Sequence, residues 1–170
     1  MATLKILIFP DPKLRTVAEP IKDVNDSIVK LSEEMLETMY EGDGIGLAAT
    51  QVDIHKQIIV VDVSNEKNDP LVFINPTINR IINNESKSYS EGCLSVPGIY
   101  EELERPTSVE INALGIDGKE FTLVAEDLLS VVIQHEMDHL EGKMMVDYLS
   151  NLKREMIRKK MIKQLASKEQ

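Results

Sequence analysis

The run Gln134-His135-Glu136-Met137-Asp138-His139, inside the longer stretch 126–142, restricts what this chain can fold into more than any other segment. Read as a helix, Leu128, Val131, Val132, His135 and His139 fall at i, i+3, i+4, i+7 and i+11, which is one face of an amphipathic helix. Both imidazoles then point into the protein. Four residues advance a helix by slightly more than one turn, so the two rings stack and can converge on one ion. Glu136 is rotated from His135 by roughly 100° and can reach a water at that ion without ligating it. The other reading is a pair of hydrogen-bonded core histidines, with Glu136 capping a neighbouring backbone. A third ligand decides between them, and the rest of the chain must supply it.

The 170 residues are enough for one domain spanning 1–170 with a sizeable core, and 42% hydrophobic with 28% charged residues is ordinary for a soluble globular protein. No apolar run approaches the roughly 18 residues of a membrane span. Met1 to Ile6 leads straight into a strand-like segment, without the layout of a signal or transit peptide. The protein is therefore expected to remain in the cytoplasm, and a single cysteine, Cys93, fits a reducing compartment and excludes an internal disulfide framework. The net charge of −10 argues against wholesale nucleic-acid binding, but it is unevenly placed. Residues 151–170 carry seven Lys/Arg against two Glu, a net of +5 on a body of −15.

In chain order, Lys5 to Phe9 reads as a short strand stopped by Pro10-Asp11-Pro12. Ser27 is the expected N-cap of a helix through Tyr40, with Ile28, Leu31, Met35, Leu36 and Met39 on its apolar face. Gly44-Ile45-Gly46-Leu47-Ala48-Ala49-Thr50-Gln51 follows; its two glycines let backbone approach a ligand or another segment, while the plain alternative is a tight loop over small residues. It is neither a dinucleotide fingerprint nor a P-loop. Gln57 to Val63 is a continuous buried strand, and 71–75 and 77–82 are two more, separated by Pro76. Thr107 to Leu114 and Glu120 to Val124 flank Asp117-Gly118, a hairpin signal. The histidine helix closes at Gly142, and Ser150 caps a last helix whose apolar line Leu152, Met156, Met161 and Leu165 is expected to face inward. The fold class inferred is α+β: antiparallel strands around a central metal-binding helix, with an N-terminal and a C-terminal helix.

Cys93, in Glu91-Gly92-Cys93-Leu94-Ser95, is the candidate third ligand, since a thiolate suits a borderline-soft ion and Gly92 allows a tight fold around the site. Most free cysteines, however, are small buried hydrophobes. His55 competes but lies in a polar stretch and reads as a surface residue; after Gly142 there is no histidine at all.

Three segments, taken together, resemble the signature of one family. Gly44–Gln51 is similar to the GxGLAAxQ motif, Glu91–Ser95 to the EGCLS motif and Gln134–His139 to the QHExDH motif of peptide deformylases, in the same order. The flanks 8–15 and 145–150 look alike as well, so the resemblance covers nearly the whole chain. It implies that Cys93, His135 and His139 hold one divalent ion and leave a fourth position for water. It implies Glu136 as the proton carrier, with the Gln51 amide and the Leu94 backbone N–H as donors to the formyl oxygen. The substrate is then the N-formylmethionyl end of a nascent peptide, laid as an added strand along Gly44, Ile45, Gly46, Glu91 and Gly92. Its methionine side chain is expected between Leu128, Val131, Val132, Ile45 and Tyr89. Fe²⁺ is the cellular ion implied, with Zn²⁺, Ni²⁺ or Co²⁺ as alternatives after isolation; general ligand affinity alone favours Zn²⁺ over Fe²⁺. A bacterial cytoplasmic monomer is expected, with the basic C-terminal helix docking on the ribosome.

Two positions depart from the family pattern: Thr50 where many members have proline, and Tyr100 where close bacterial relatives often have arginine. Competing readings are an HExxH zinc protease and a catalytically silent metal-binding module. The Cys93 ligand and the Gly44–Gln51 loop argue against the first, and the presence of both Glu136 and Gln51 against the second.

Overall fold

The computed structural model describes residues 3–168. Its helices are α1 (Asp26–Glu41), α2 (Asp127–Leu140) and α3 (Asn151–Lys168), and its strands are β1 (Gly46–Ala48), β2 (Ile58–Val61), β3 (Leu71–Ile81), β4 (Ser86–Cys93), β5 (Val96–Pro106), β6 (Ser108–Leu114) and β7 (Glu120–Glu126). Five strands form an antiparallel sheet in the order β1-β2-β3-β6-β7, while β4 and β5 pair as a separate two-stranded ribbon. The architecture is α+β, as the sequence indicates.

Strand β2 shows why the sheet has helices on both faces. Ile59 and Val61 join the cluster that holds Val132, Ile133 and Leu140 of α2. Ile58 and Val60 point the other way, into the cluster with Ile28, Met35 and Met39 of α1. Alternation sends neighbouring side chains to opposite faces, so a strand covered on both sides must be apolar throughout. The histidine helix is thus packed against the sheet near its β1 edge.

Several local details differ from the sequence reading. Helix α1 is capped by Asn25, whose Oδ1 accepts from the Ile28 N–H at 3.2 Å, and not by Ser27, whose hydroxyl instead donates to Asn25. The segment 5–9 is not a strand: it is tied at single points, Leu7 N–H to the Gln51 carbonyl and Phe9 N–H to the Ser95 carbonyl. The two strands expected on either side of Pro76 are one strand, β3, with a register shift between Ile74 and Thr77. A bulge frees proline from donating to the ladder. At the same place Asn75 turns to φ +52° and clamps the Ile21 backbone, accepting from its N–H and donating to its carbonyl, both at 2.8 Å.

The C-terminal helix is capped as expected, with the Ser150 hydroxyl accepting from Lys153 N–H. Of its expected apolar line, Met161 faces inward and the other three do not. Ile157 and Met161 are the buried residues, packed on Leu7, Phe9, Val96, Leu103 and the 144–146 segment, while Leu152 and Met156 are 74% and 62% exposed and Leu165 is also exposed. The reason is angular: at 100° per residue Met161 lies about 180° from Leu152, so the two cannot share a face. Helix α2 ends as its sequence indicates, with Gly142 at φ +77°, pressed so close to the Arg15 carbonyl that a Cβ there would lie 2.5 Å away. Arg15 also forms a bidentate pair with Asp147 at 2.7 and 2.9 Å, closing the N-terminal segment onto the chain that leads to α3.

Candidate metal centre

Helix α2 presents His135 and His139 from one face, with ring centroids 5.2 Å apart, and the end of β4 brings Cys93 to them. The Cys93 sulfur lies 3.4 Å from His139 Nε2, and the three residues place one donor atom each within 4.8 Å of one another. Donors at tetrahedral corners, roughly 2.0–2.3 Å from a common centre, are separated by distances of this order. Among the described residues Cys93, His135 and His139 are the group so arranged, and His55 is elsewhere, bonded to Asp53. The residues fit a divalent ion.

The partners of each ligand support that use. His135 Nδ1 is 2.8 Å from Glu91 Oε1, which fixes the proton on Nδ1 and leaves Nε2 for a ligand role. Glu91 is itself held by Arg105 through Nε and Nη2, at 2.6 and 3.0 Å. Arg105 continues through Nη1 to Asp138 at 3.0 Å, and Tyr148 donates its hydroxyl to the same carboxylate at 2.8 Å while its ring lies under the guanidinium. Burial opposes charge in this chain of groups, but hydrogen bonds from His135 and Arg105 hold the Glu91 carboxyl below its usual range. The same pairing holds Arg105 charged despite its burial. Nothing around Arg105 in the sequence marks it: Glu104-Arg105-Pro106 reads as a charged strand end.

Glu136 stands beside the donor set, 4% exposed, with its Oε1 4.0 Å from His139 Nε2 and no hydrogen-bond partner for that oxygen among protein groups. Burial pushes its carboxyl up to about 7; the His135 charge pulls against that rise and Glu91 adds to it. Burial and the His135 charge together push His139 well down, so it is a neutral imidazole with a lone pair available. Burial also opposes charge on His135, yet Glu136, Cys93 and Glu91 together hold it well up; a divalent ion at the donor set would take the place of the Nε2 proton, since metal binding releases protons from its ligands.

Gln51 is fully buried under β1 and oriented at both ends. Its Oε1 accepts from the Ala48 N–H at 2.9 Å, and its Nε2 donates to the Ser95 hydroxyl at 3.0 Å and faces the Cys93 sulfur at 3.5 Å. Ser95 lies in the Glu91–Ser95 motif, but its hydroxyl had no role assigned from sequence, since the bond to Gln51 joins segments 44 residues apart.

Above these groups opens a cleft of about 390 Å³. Its lining includes Gly44, Ile45, Gly46, Gly92 and Leu94, the residues Leu128, Val131 and Val132 of α2, and Cys93, His135 and Glu136; the Leu94 side chain packs against Gly44. Leu128 is partly exposed at the mouth rather than in the core. Glu91 also lines the cleft, but its carboxylate is taken up by His135 and Arg105. Tyr89 is not a lining residue; its hydroxyl is 3.5 Å from Asp127.

The family model for polypeptide deformylase matches residues 3–155, which include all three groups of site residues. The chain belongs to the polypeptide deformylase family. The peptide deformylase of Azotobacter vinelandii is 59% identical over 164 residues, covering 96% of this chain and 97% of that protein. Among solved structures, the peptide deformylase of Legionella pneumophila superposes with a TM-score of 0.93 at 40% identity, covering 99% of each chain. The Ehrlichia chaffeensis deformylase in complex with actinonin superposes with a TM-score of 0.92 at 38% identity, covering 96% of this chain and 98% of that one.

Within this deformylase fold, Gly46 has a measurable job. A Cβ at Gly46 would lie 2.5 Å from Glu136 Oε2 and 2.8 Å from Val132 Cγ1, so Gly46→Ala must displace the carboxylate. A shift of about 1 Å at a reacting group costs on the order of 10²-fold. The variant is expected to lose about that factor in kcat while retaining bound metal, checked by steady-state kinetics beside metal analysis.

Proposed function

We infer that this chain is a metal-dependent peptide deformylase, hydrolysing the N-formyl group of N-formylmethionyl polypeptides to formate and a free α-amine. The observation that carries the reading is a sulfur-and-two-nitrogen donor set at the cleft beside a buried carboxylate with one oxygen unpartnered among the described residues. Cys93, His135 and His139 would hold one divalent ion, which when bound polarises a carbonyl and makes water more acidic.

The remaining work falls to side chains of this chain. Glu136 accepts the proton of the attacking water and returns it to the departing amine as the C–N bond breaks. Formate leaves with the water oxygen, and the second proton of that water passes to the released amine, which departs as an ammonium, so atoms and charge balance. Gln51 is held by Ala48 and Ser95 with its amide nitrogen facing the donor set, which suits it to donate to the formyl oxygen as negative charge develops there. The Leu94 N–H is the second donor assigned. β1 is an edge of its sheet, so a peptide can add to it as a further strand beside Gly44–Gly46, in the cleft that Gly92 also lines. That mode reads backbone and tolerates many sequences. Ile45, Leu128, Val131 and Val132 offer the apolar surface for the methionine side chain.

Fe²⁺ is the ion we assign in the cell. A ferrous ion beside the Cys93 thiolate is open to oxidation, so the iron form should lose activity in air, and indefinite aerobic stability would exclude iron. The reading places the enzyme as a monomer in a bacterial cytoplasm; no helix among the described residues is long and apolar enough to cross a membrane.

The exposed face of α3 supports a ribosome contact. Leu152 and Met156 share it with Lys159, Lys160 and Lys163, an apolar and basic stripe facing solvent. Polyanionic RNA attracts such a stripe in a salt-dependent way. Deleting residues 151–170 also removes Ile157 and Met161 from the core, so charge reversal is the cleaner test. Lys159→Glu with Lys160→Glu is expected to weaken ribosome co-sedimentation at least tenfold at low salt and leave tripeptide turnover unchanged; equal binding would exclude the contact.

A further inference from the structure

Tyr148 closes the short 3₁₀ turn Met145–Tyr148 that leads into α3, and it is 54% exposed. Among the described residues, none of the three core clusters includes it. Packing in the core therefore gives no reason for an aromatic side chain at this position. Its contacts are polar instead. The ring lies against the Arg105 guanidinium, with 5.1 Å from the guanidinium carbon to the ring centroid. The hydroxyl donates at 2.8 Å to Asp138 Oδ2, the same oxygen that Arg105 Nη1 reaches at 3.0 Å. Arg105, Gln134, Asp138 and Tyr148 together border a small second cavity of about 180 Å³, whose lining does not include Cys93, His135 or His139.

We propose that Tyr148 is a positioning residue for the metal ligand His135, acting through Arg105 and Glu91. The inference rests on the metal-dependent deformylase reading and deepens it, because it names what keeps the ion in place. Glu91 fixes the His135 ring by one bond at 2.8 Å and is itself held by two bonds from Arg105. Water reaching the guanidinium would compete for those N–H groups and weaken both bonds. The tyrosine ring shields one face of the guanidinium and attracts its charge, and this attraction grows as water is excluded. The hydroxyl keeps the Asp138 carboxylate turned towards Nη1. Without the ring, Arg105 and Glu91 are free to shift as a pair, and His135 loses the fixed orientation that a metal ligand takes from its outer partner.

The test is the rate of Zn²⁺ release to a chelator, together with the visible absorption bands of the Co²⁺-loaded protein; neither uses a peptide. Tyr148→Ala is expected to release Zn²⁺ about tenfold faster than the wild type and to shift the Co²⁺ bands. Tyr148→Phe keeps the ring and should stay within about threefold of the wild type, with its bands unshifted. Ile28→Ala, in the α1 core on the other face of the sheet, should lower the melting temperature and leave metal release unchanged, which separates positioning from general stability. In an Arg105→Lys background, Tyr148→Ala should add less than about twofold, because residues that act through one another are not additive. Release and bands that match the wild type in Tyr148→Ala, or release quickened as much by Ile28→Ala, overturn the proposal and leave the deformylase reading intact. The full tenfold effect persisting in the Arg105→Lys background overturns it as well. A wild type that holds neither Zn²⁺ nor Co²⁺ overturns both.

Discussion

Replacing Glu136 by glutamine is expected to lower kcat by about 10²–10⁴-fold, with KM and bound metal close to those of the wild type. The amide has the size of the carboxylate but cannot take up a proton. The site around it is prepared for the charged form to act rather than to be neutralised. Among the described residues one oxygen has no hydrogen-bond partner, and Arg105 is bonded instead to Glu91 and Asp138. Burial pushes its carboxyl up to about 7. A proton carrier is most useful with a pKa near the working pH. The sign of the pH effect follows: the base form is present above its pKa, so the rate falls as pH is lowered through it. A cation held by Cys93, His135 and His139 would move this acid limb below 7. Glu136→Gln should lose the limb along with the rate, and stopped assays across pH 5–8 read both. A full-rate glutamine variant would remove Glu136 from the mechanism.

The second large effect is expected at Arg105, which touches neither the metal donors nor the cleft. Its guanidinium is buried and spans Glu91 and Asp138, and Glu91 in turn orients His135. Arg105→Ala leaves two carboxylates without their cation. Removing one partner of a buried pair costs about 3–5 kcal/mol. Loss of an outer partner of a metal-ligating histidine lowers metal affinity by about 10–100-fold. Both losses should be visible without an activity assay, in thermal melts and in competition with a chelator. Lysine should not restore either, because a single ammonium cannot make the two parallel bonds that Glu91 receives. An alanine variant that melts with the wild type and holds metal as tightly would show that the network is incidental.

What could be read from the sequence follows from which physical signals are local. Helix α2 was legible because an inward face with a 3.6-residue period carries His135 and His139 at its end, and periodicity needs no knowledge of the partner. The β6–β7 hairpin was legible from Asp117-Gly118, where Gly118 takes φ +78°. The β4–β5 ribbon was not: the outward positions of Ser86–Cys93 are polar and mostly exposed, so no apolar alternation announces a strand. In segment 5–9 the apolar run misled, because burial against two separate loops gives the same composition as burial in a sheet. The α3 face was misread by combining residues half a turn apart.

The site shows the same division. The residues that meet at the donor set lie in three short segments whose chemistry is explicit in their side chains. Of those that hold the set in place, Ser95, Asp138 and Tyr148 lie in segments that the family resemblance marks but had no role that their own chemistry announced, and Arg105 lies outside them all. Glu91 belongs to both groups: its segment was marked, but its bond to His135 was not. Only tertiary structure turns a charged residue on a strand into the anchor of a metal ligand.

The most direct measurement is formate release from formyl-Met-Ala-Ser by anaerobically prepared, iron-loaded protein, with acetyl-Met-Ala-Ser and Met-Ala-Ser alongside. Rapid release of formate from the first peptide, with the other two left intact, is the predicted result. No formate from fully metal-loaded protein, or cleavage of a peptide bond in Met-Ala-Ser, would contradict it.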